Sequence, residues 1–180
     1  MIYCFLATGF EEMEALSPVD ILRRGGCEVT TVGVGEDMIT GSHGISVCAD
    51  ITDSELVLDE KTEMIILPGG MPGTLNLEKN GKVQAAIDYC MENNRYVCAI
   101  CAAPSILGHK GLLKDKSAIC FPGFEGQLNC KELSFDFVCE DGNIITAKGA
   151  GVAQEFGIKL LAKIKGDAAA KKVRDSLQCR

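Results

Sequence analysis

Tyr96-Val97-Cys98-Ala99-Ile100-Cys101-Ala102-Ala103-Pro104 is the stretch on which the fold of this chain turns. Tyr96–Ile100 reads as a short apolar strand. Cys101, two alanines and a proline follow at once, and Ala103–His109 restarts as a helix whose first turn tolerates the proline. So tight a strand-to-helix turn needs small neighbours, and Ala102 and Ala103 supply them as glycines do in nucleophile elbows. Such a turn places the Cys101 sulfur at a helix N-terminus, where free N–H groups and partial positive charge favour thiolate over thiol. The competing reading is a buried structural cysteine.

Outward from that turn, apolar runs alternate with helical patterns. Ile2–Ala7, Glu28–Val34, Glu63–Leu67 and Ser117–Phe121 read as strands. Ile45–Ile51 reads as an antiparallel excursion, and Asp136–Ala147 as a hairpin around Asp141-Gly142. Glu11–Arg24, Lys82–Asn93, Gly151–Lys163 and Asp167–Leu177 read as helices. The first is stopped by Gly25-Gly26 and carries a local conflict at Pro18, which predicts a kink. Alternation at this spacing predicts an α/β fold with a mostly parallel sheet and helices on both faces.

The chain has 180 residues, the size of one domain. Its 18 basic and 25 acidic side chains leave a net charge of −7, which argues against nucleic acid as a partner because phosphate neutralisation needs clustered Lys and Arg. The longest apolar runs, such as Met64–Leu67 and Val97–Ala103, are far short of the roughly 20 residues of a membrane span. Met1–Ala7 runs into Gly9 and acidic residues without a signal-type pattern. These features give the expectation of a cytoplasmic globular protein. The ten cysteines (4, 27, 48, 90, 98, 101, 120, 130, 139 and 179) lie partly inside strand-like runs, where Cys acts as a small hydrophobe, and most are expected to be reduced and structural.

Ligands of open α/β sheets sit beyond the carboxyl ends of the parallel strands. Three unusual segments are expected there: Thr8–Glu14, Pro68-Gly69-Gly70 and Cys101–Pro104. Glu14 lies about one turn into the first helix. Glu11 and Glu12 fit a solvated acidic helix start, favourable to the macrodipole. Glu14 reads equally as a third such residue or as a carboxyl aimed over the sheet at Cys101. In the second case two bare charges in one semi-buried site would repel, so the pair should share a proton. Gly69 and Gly70 let backbone N–H groups approach a ligand, and with the Ala102 N–H they could form an oxyanion site. A plain turn is the alternative.

Taken together, Glu11–Glu14 with Pro18-Val19-Asp20 and Arg23–Gly26, then Ile66–Gly70, then Ala99–Pro104, then Thr146–Gly151 resemble the ThiJ/PfpI family in order along the whole chain. The resemblance is closest to the branch holding the parkinsonism-associated deglycase and its bacterial YajL-type relatives. It implies one flavodoxin-like three-layer sandwich over residues 1–180, related to class I glutamine amidotransferases, and a homodimer. It implies Cys101 as an oxidisable nucleophile, Glu14 as its protonated partner, Gly69, Gly70 and Ala102 around the substrate, and no cofactor or metal. The implied activity is on reactive carbonyls or glycated substrates, of glyoxalase or deglycase type. The alternative is an oxidative-stress sensor or redox-regulated chaperone that stores a Cys101 sulfinate.

Departures from the family pattern are informative. Phe121–Val138 holds no His, and Cys130 falls about where one is expected, so a Cys-His triad is not predicted. His109 reads as a helix C-terminal residue and His43 as part of the Gly41–Gly44 turn, near the implied dimer interface. Cys98-x-x-Cys101 matches a dithiol motif, but three extended residues span about 10 Å, beyond disulfide reach. A glutamine amidotransferase would need a later His. A zinc site would need paired Cys-x2-Cys clusters, and these are absent. Lys148 and Arg23 are open as anion-orienting residues or plain surface charges, and Cys130 as a resolving thiol.

Overall fold

The computed structural model describes residues 1–178; Cys179, expected to be an ordinary thiol, lies outside them. The chain runs β1 (Ile2–Leu6), α1 (Glu12–Arg24), β2 (Val29–Gly33), β3 (Met38–Thr40), β4 (Ser46–Cys48), β5 (Ile51–Thr52) and β6 (Met64–Leu67). It continues α2 (Gly73–Lys79), α3 (Gly81–Glu92), β7 (Tyr96–Ile100), α4 (Pro104–His109), β8 (Ser117–Ala118), α5 (Glu125–Leu128) and β9 (Glu132–Leu133). The hairpin β10 (Val138–Asp141) and β11 (Ile144–Ala147), then α6 (Ala153–Lys165) and α7 (Asp167–Ser176), complete it.

Seven strands form the central sheet in the order β10-β11-β7-β6-β1-β2-β5, parallel throughout except for β10. Strand alternation divides the core into two layers. Ile2, Cys4, Leu6, Met64, Ile66, Cys98, Ile100, Ile145 and Ala147 face the layer of α1, α6 and α7. Tyr3, Phe5, Ile65, Leu67, Val97, Ala99 and Ile144 face the layer of α2, α3 and α4. This is the expected flavodoxin-like sandwich.

Pro18 does not interrupt α1, which continues to Arg24. A Cβ at Gly157 of α6 would lie 3.0 Å from Pro18 Cα, so the missing side chain lets α6 approach the proline. The expected strand Ile45–Ile51 divides. Ser46–Cys48 pairs antiparallel with β3 in a separate hairpin, while Ile51–Thr52 joins the sheet edge parallel to β2. The expected strand Ser117–Phe121 keeps only its first two residues, paired with β9 outside the main sheet. Beyond them the backbone bonds elsewhere. Ile119 N–H donates to Thr146 Oγ1 at 2.9 Å and Phe121 N–H to the Cys101 carbonyl at 2.8 Å. That departure carries Phe121 to the carboxyl ends of the parallel strands.

Candidate active site

Cys101 follows β7 directly and takes a left-handed backbone, φ +66°, which a non-glycine residue adopts only at a cost of order 1–3 kcal/mol. Neighbouring backbone holds it there. Its N–H donates to the Ala147 carbonyl at 2.9 Å, and its carbonyl receives the Phe121 N–H. The side chain is half-buried, while Ala102 and Ala103 are buried. The turn is the strained elbow that the two alanines anticipate.

Glu14 belongs to the first turn of α1, whose N-cap is Glu11. The Glu11 carboxylate accepts the Glu14 N–H at 2.8 Å. The Glu14 side chain is only 1% exposed, which overturns the solvated-helix-start reading for this residue. Its Oε2 accepts the Gly69 N–H at 3.0 Å, the Ala150 N–H also serves the carboxylate, and the carboxyl and the Cys101 thiol are hydrogen-bonded. Gly69 makes this closeness possible. A Cβ there would lie 2.6 Å from Glu14 Oε2 and 2.7 Å from Cys101 Cβ. Gly70 has φ +89°, so the loop can turn back against Gly9, Phe10 and Glu11. The three segments expected at the strand ends meet, and the loop after β11 joins them.

Burial pushes the Glu14 carboxyl from its ordinary 4.5 up to about 7, reinforced by the nearby Glu11 carboxylate and opposed by its hydrogen bonds from Cys101, Gly69 and Ala150. Burial also pushes the Cys101 thiol up to about 12, reinforced by the Glu14 charge and opposed by the Ala102 and Gly70 N–H groups. The expected lowering of this thiol is therefore corrected: two backbone donors do not outweigh burial and an adjacent carboxylate. The shared cause is that the site accommodates one negative charge and not two. Between the two values the pair holds a single proton.

The predicted glycine and alanine donors divide their work. The N–H groups of Gly70 and Ala102 are directed at the sulfur, while the Gly69 N–H is committed to the Glu14 carboxylate. Glu12, expected in solvent, is buried and receives the His43 N–H at 2.8 Å and the His43 ring at 3.0 Å. Although burial opposes it, these bonds hold the Glu12 carboxyl down at about 2. Glu11, Glu12 and His43 bring three potential ligand atoms within 4.8 Å, but both carboxylates already accept backbone N–H groups. His109 stands at the end of α4 against Glu78, 2.6 Å away.

Cys130 is not the residue that the segment before the hairpin delivers to the site. Its thiol donates to the Glu132 carbonyl at 3.3 Å. Phe121 takes that place. A Cβ on Gly149 would lie 3.2 Å from the Phe121 ring and 3.9 Å from Glu14 Oε1, so Phe121 and Glu14 flank one glycine. Arg23 is structural, bonding the Val29 carbonyl and Asp50. Lys148 lies over the Phe137 ring, 5.1 Å from its centre. Cys98 is fully buried within β7 as a free thiol. Sequence reasoning did not single out Ala150 or Phe121 as site residues. Ala150 acts through its backbone, and Phe121 reads as the end of a strand.

Residues 1–163 match the model of the DJ-1/PfpI family. Protein dj-1beta of Drosophila melanogaster is 32% identical over 175 residues, covering 96% of this chain and 93% of its own. DJ-1 homolog B of Arabidopsis thaliana is 34% identical over 97% of this chain, which spans only 40% of that longer protein. Among solved structures, Toxoplasma gondii DJ-1 in an oxidised form superposes with a TM-score of 0.93 at 31% identity, over 98% of this chain and 97% of that one. The elbow cysteine, the buried carboxyl beside it and the loop that joins them all fall within the matched residues 1–163, and the chain belongs to the DJ-1/PfpI family.

Proposed function

We propose that the protein is a cysteine-dependent enzyme acting on reactive carbonyls, of the glyoxalase or deglycase type, with Cys101 as nucleophile and Glu14 as proton carrier. The observation that carries this reading is the buried thiol–carboxyl pair that holds one proton, with two N–H groups aimed at its sulfur. Family membership supports a cysteine nucleophile. The attacking form has the proton on Glu14 and the charge on sulfur, where Gly70 and Ala102 offer their donors.

The sulfur forms a C–S bond to the aldehyde carbon of an α-oxoaldehyde. The carbonyl π pair moves to oxygen, which takes the Glu14 proton. Glu14, now a carboxylate, removes the hydrogen from that carbon and returns a proton to the neighbouring one, while the hydroxyl proton passes from the first oxygen to the second, converting the adduct into a thioester of the 2-hydroxy acid. Water adds to the thioester carbonyl as Glu14 takes one of its protons, the carbonyl re-forms as the C–S bond breaks, and the hydroxy acid leaves with both the thiolate and the protonated Glu14 restored. Every step is a proton transfer or an addition or its reverse, so the sequence balances with water alone. Conversion of methylglyoxal to lactate, followed by NMR, tests it. Turnover by the wild type that is lost in Cys101→Ala and in Glu14→Gln supports the proposal, and turnover retained in Cys101→Ala overturns it.

A sensor role is the second reading. The same donors and Glu14 suit a sulfinate at Cys101, and the Toxoplasma gondii relative was solved in an oxidised form. Peroxide would oxidise the thiolate in two steps, each transferring one oxygen to sulfur and releasing water. A sulfinate at Cys101 in a protein without methylglyoxal turnover would favour this role. The homodimer implied by the family resemblance belongs to the proposal too, supported by Met13, Met38 and Ile45, apolar yet largely exposed on α1 and the β3–β4 hairpin.

A further inference from the structure

Beside the reactive pair lies a hollow of about 330 Å³, at the small end of ligand sites. Its floor is the backbone of Gly149, Ala150 and Gly151, and its walls are Phe121, Pro122, Phe137 and Val152, with Lys148 at the rim. It begins where the pair ends. Ala150 lends its N–H to Glu14, and Gly149 stands between the Glu14 carboxyl and the Phe121 ring. Both phenylalanines are exposed to water, Phe121 at 47% and Phe137 at 55%, and with Pro122 and Val152 they form one contiguous apolar patch, the kind of surface that marks a ligand groove. Larger hollows of about 510 and 420 Å³ border α6 and α7, but they have charged walls and lack Gly149 and Ala150, the two residues that tie the smaller hollow to Glu14.

We infer that this hollow is a specificity subsite that takes the aromatic or bulky apolar substituent of a carbonyl compound bound at Cys101, with Phe121 and Phe137 as its selecting residues. The inference rests on the proposed reactive-carbonyl reading for its substrate class. The walls offer stacking faces and almost no hydrogen-bonding side chains, so they reward an aryl group and give little to a methyl group. Lys148 holds its ammonium over one face of the Phe137 ring, a contact that favours the ring's place in the wall. An occupant reaching from the sulfur into the hollow passes Gly149, where any side chain would meet Phe121.

The test needs no turnover. Cys101 is alkylated with 2-bromoacetophenone or with bromoacetone, each forming a C–S bond as bromide leaves with its electron pair. The rate at Cys101 is read by peptide mass spectrometry, with free cysteine as the reference for intrinsic reactivity. The expected result is a preference for the phenyl reagent about tenfold beyond that of free cysteine, the scale of discrimination that an apolar pocket supplies. Phe121→Ala and Phe137→Ala should each remove most of that preference while leaving the melting temperature close to wild type, since both side chains are substantially exposed. A preference equal to that of free cysteine, or one that survives both substitutions, overturns the subsite. Failure of the catalytic reading looks different: the aryl preference is present, but neither phenylglyoxal nor methylglyoxal is turned over.

Discussion

Replacing Glu14 by Gln removes an ionisable group from a site only 1% exposed while keeping its shape. In the folded protein the carboxyl is pushed up from 4.5 to about 7, chiefly by burial. At roughly 1.4 kcal/mol per tenfold change in the ionisation constant, that displacement is worth about 3 kcal/mol. The sign follows from proton binding. An acid whose value is raised on folding holds its proton more tightly in the native state, so its contribution is intact below 4.5 and is lost as pH rises to about 7. The Glu14→Gln variant has no such loss. It forfeits one acceptor for the Gly69 or Ala150 N–H, but equally at every pH. Urea denaturation of both proteins under reducing conditions, repeated across this range, gives the difference in unfolding free energy with other titrations cancelled. The variant should gain on the wild type by about 3 kcal/mol between the acid and neutral ends of the range. A difference that stays constant with pH would refute the claim that Glu14 is buried and uncomfortable when charged.

Other substitutions probe the supports of the site. Gly69→Ala sets a methyl group 2.6 Å from Glu14 Oε2 and 2.7 Å from Cys101 Cβ; crowding of this kind costs about 1–3 kcal/mol, so thermal melting should fall and Cys101 alkylation should change with it. Glu12→Ala strips the Gly41–Gly44 turn of its buried acceptor, with an expected loss of about 1–3 kcal/mol by denaturation. The Glu12 carboxyl is held at about 2, so its contribution is present above 4.5 and lost as pH falls towards 2; the destabilisation should shrink in acid.

Much of the fold is legible because the strands are short, apolar and bounded by turn residues, as in Ile2–Leu6 and Tyr96–Ile100. The two-layer core follows from their alternation. Less legible are elements held by a few bonds at the edge of the structure. α2 buries only Leu77 among its large apolar residues, and β5 pairs through just two residues. Ser117–Phe121 has strand-like residues, yet a threonine hydroxyl and the Cys101 carbonyl claim its N–H groups, a competition that no local pattern reveals. For the site, Cys101, Glu14 and the glycine loop could be chosen from sequence because each breaks a local expectation. The backbone donor of Ala150 could not, since any residue there carries the same N–H. The lowered thiol value was expected from the helix terminus alone. In the folded protein, burial and the Glu14 carboxylate act on the same sulfur and prevail.

The central claim is that Cys101 and Glu14 ionise as one unit, with a single proton between them once the pH passes neutrality. The rate of Cys101 alkylation by iodoacetamide, measured from about pH 5 to about pH 10, tests it directly, because only thiolate reacts. In the wild type the rate should rise with a midpoint near 7 and then level off, as the pair gives up its first proton. In Glu14→Gln that step should vanish and the rise should move to higher pH. A wild-type rate that climbs steadily past neutrality without a plateau, or the same profile in both proteins, would contradict the account.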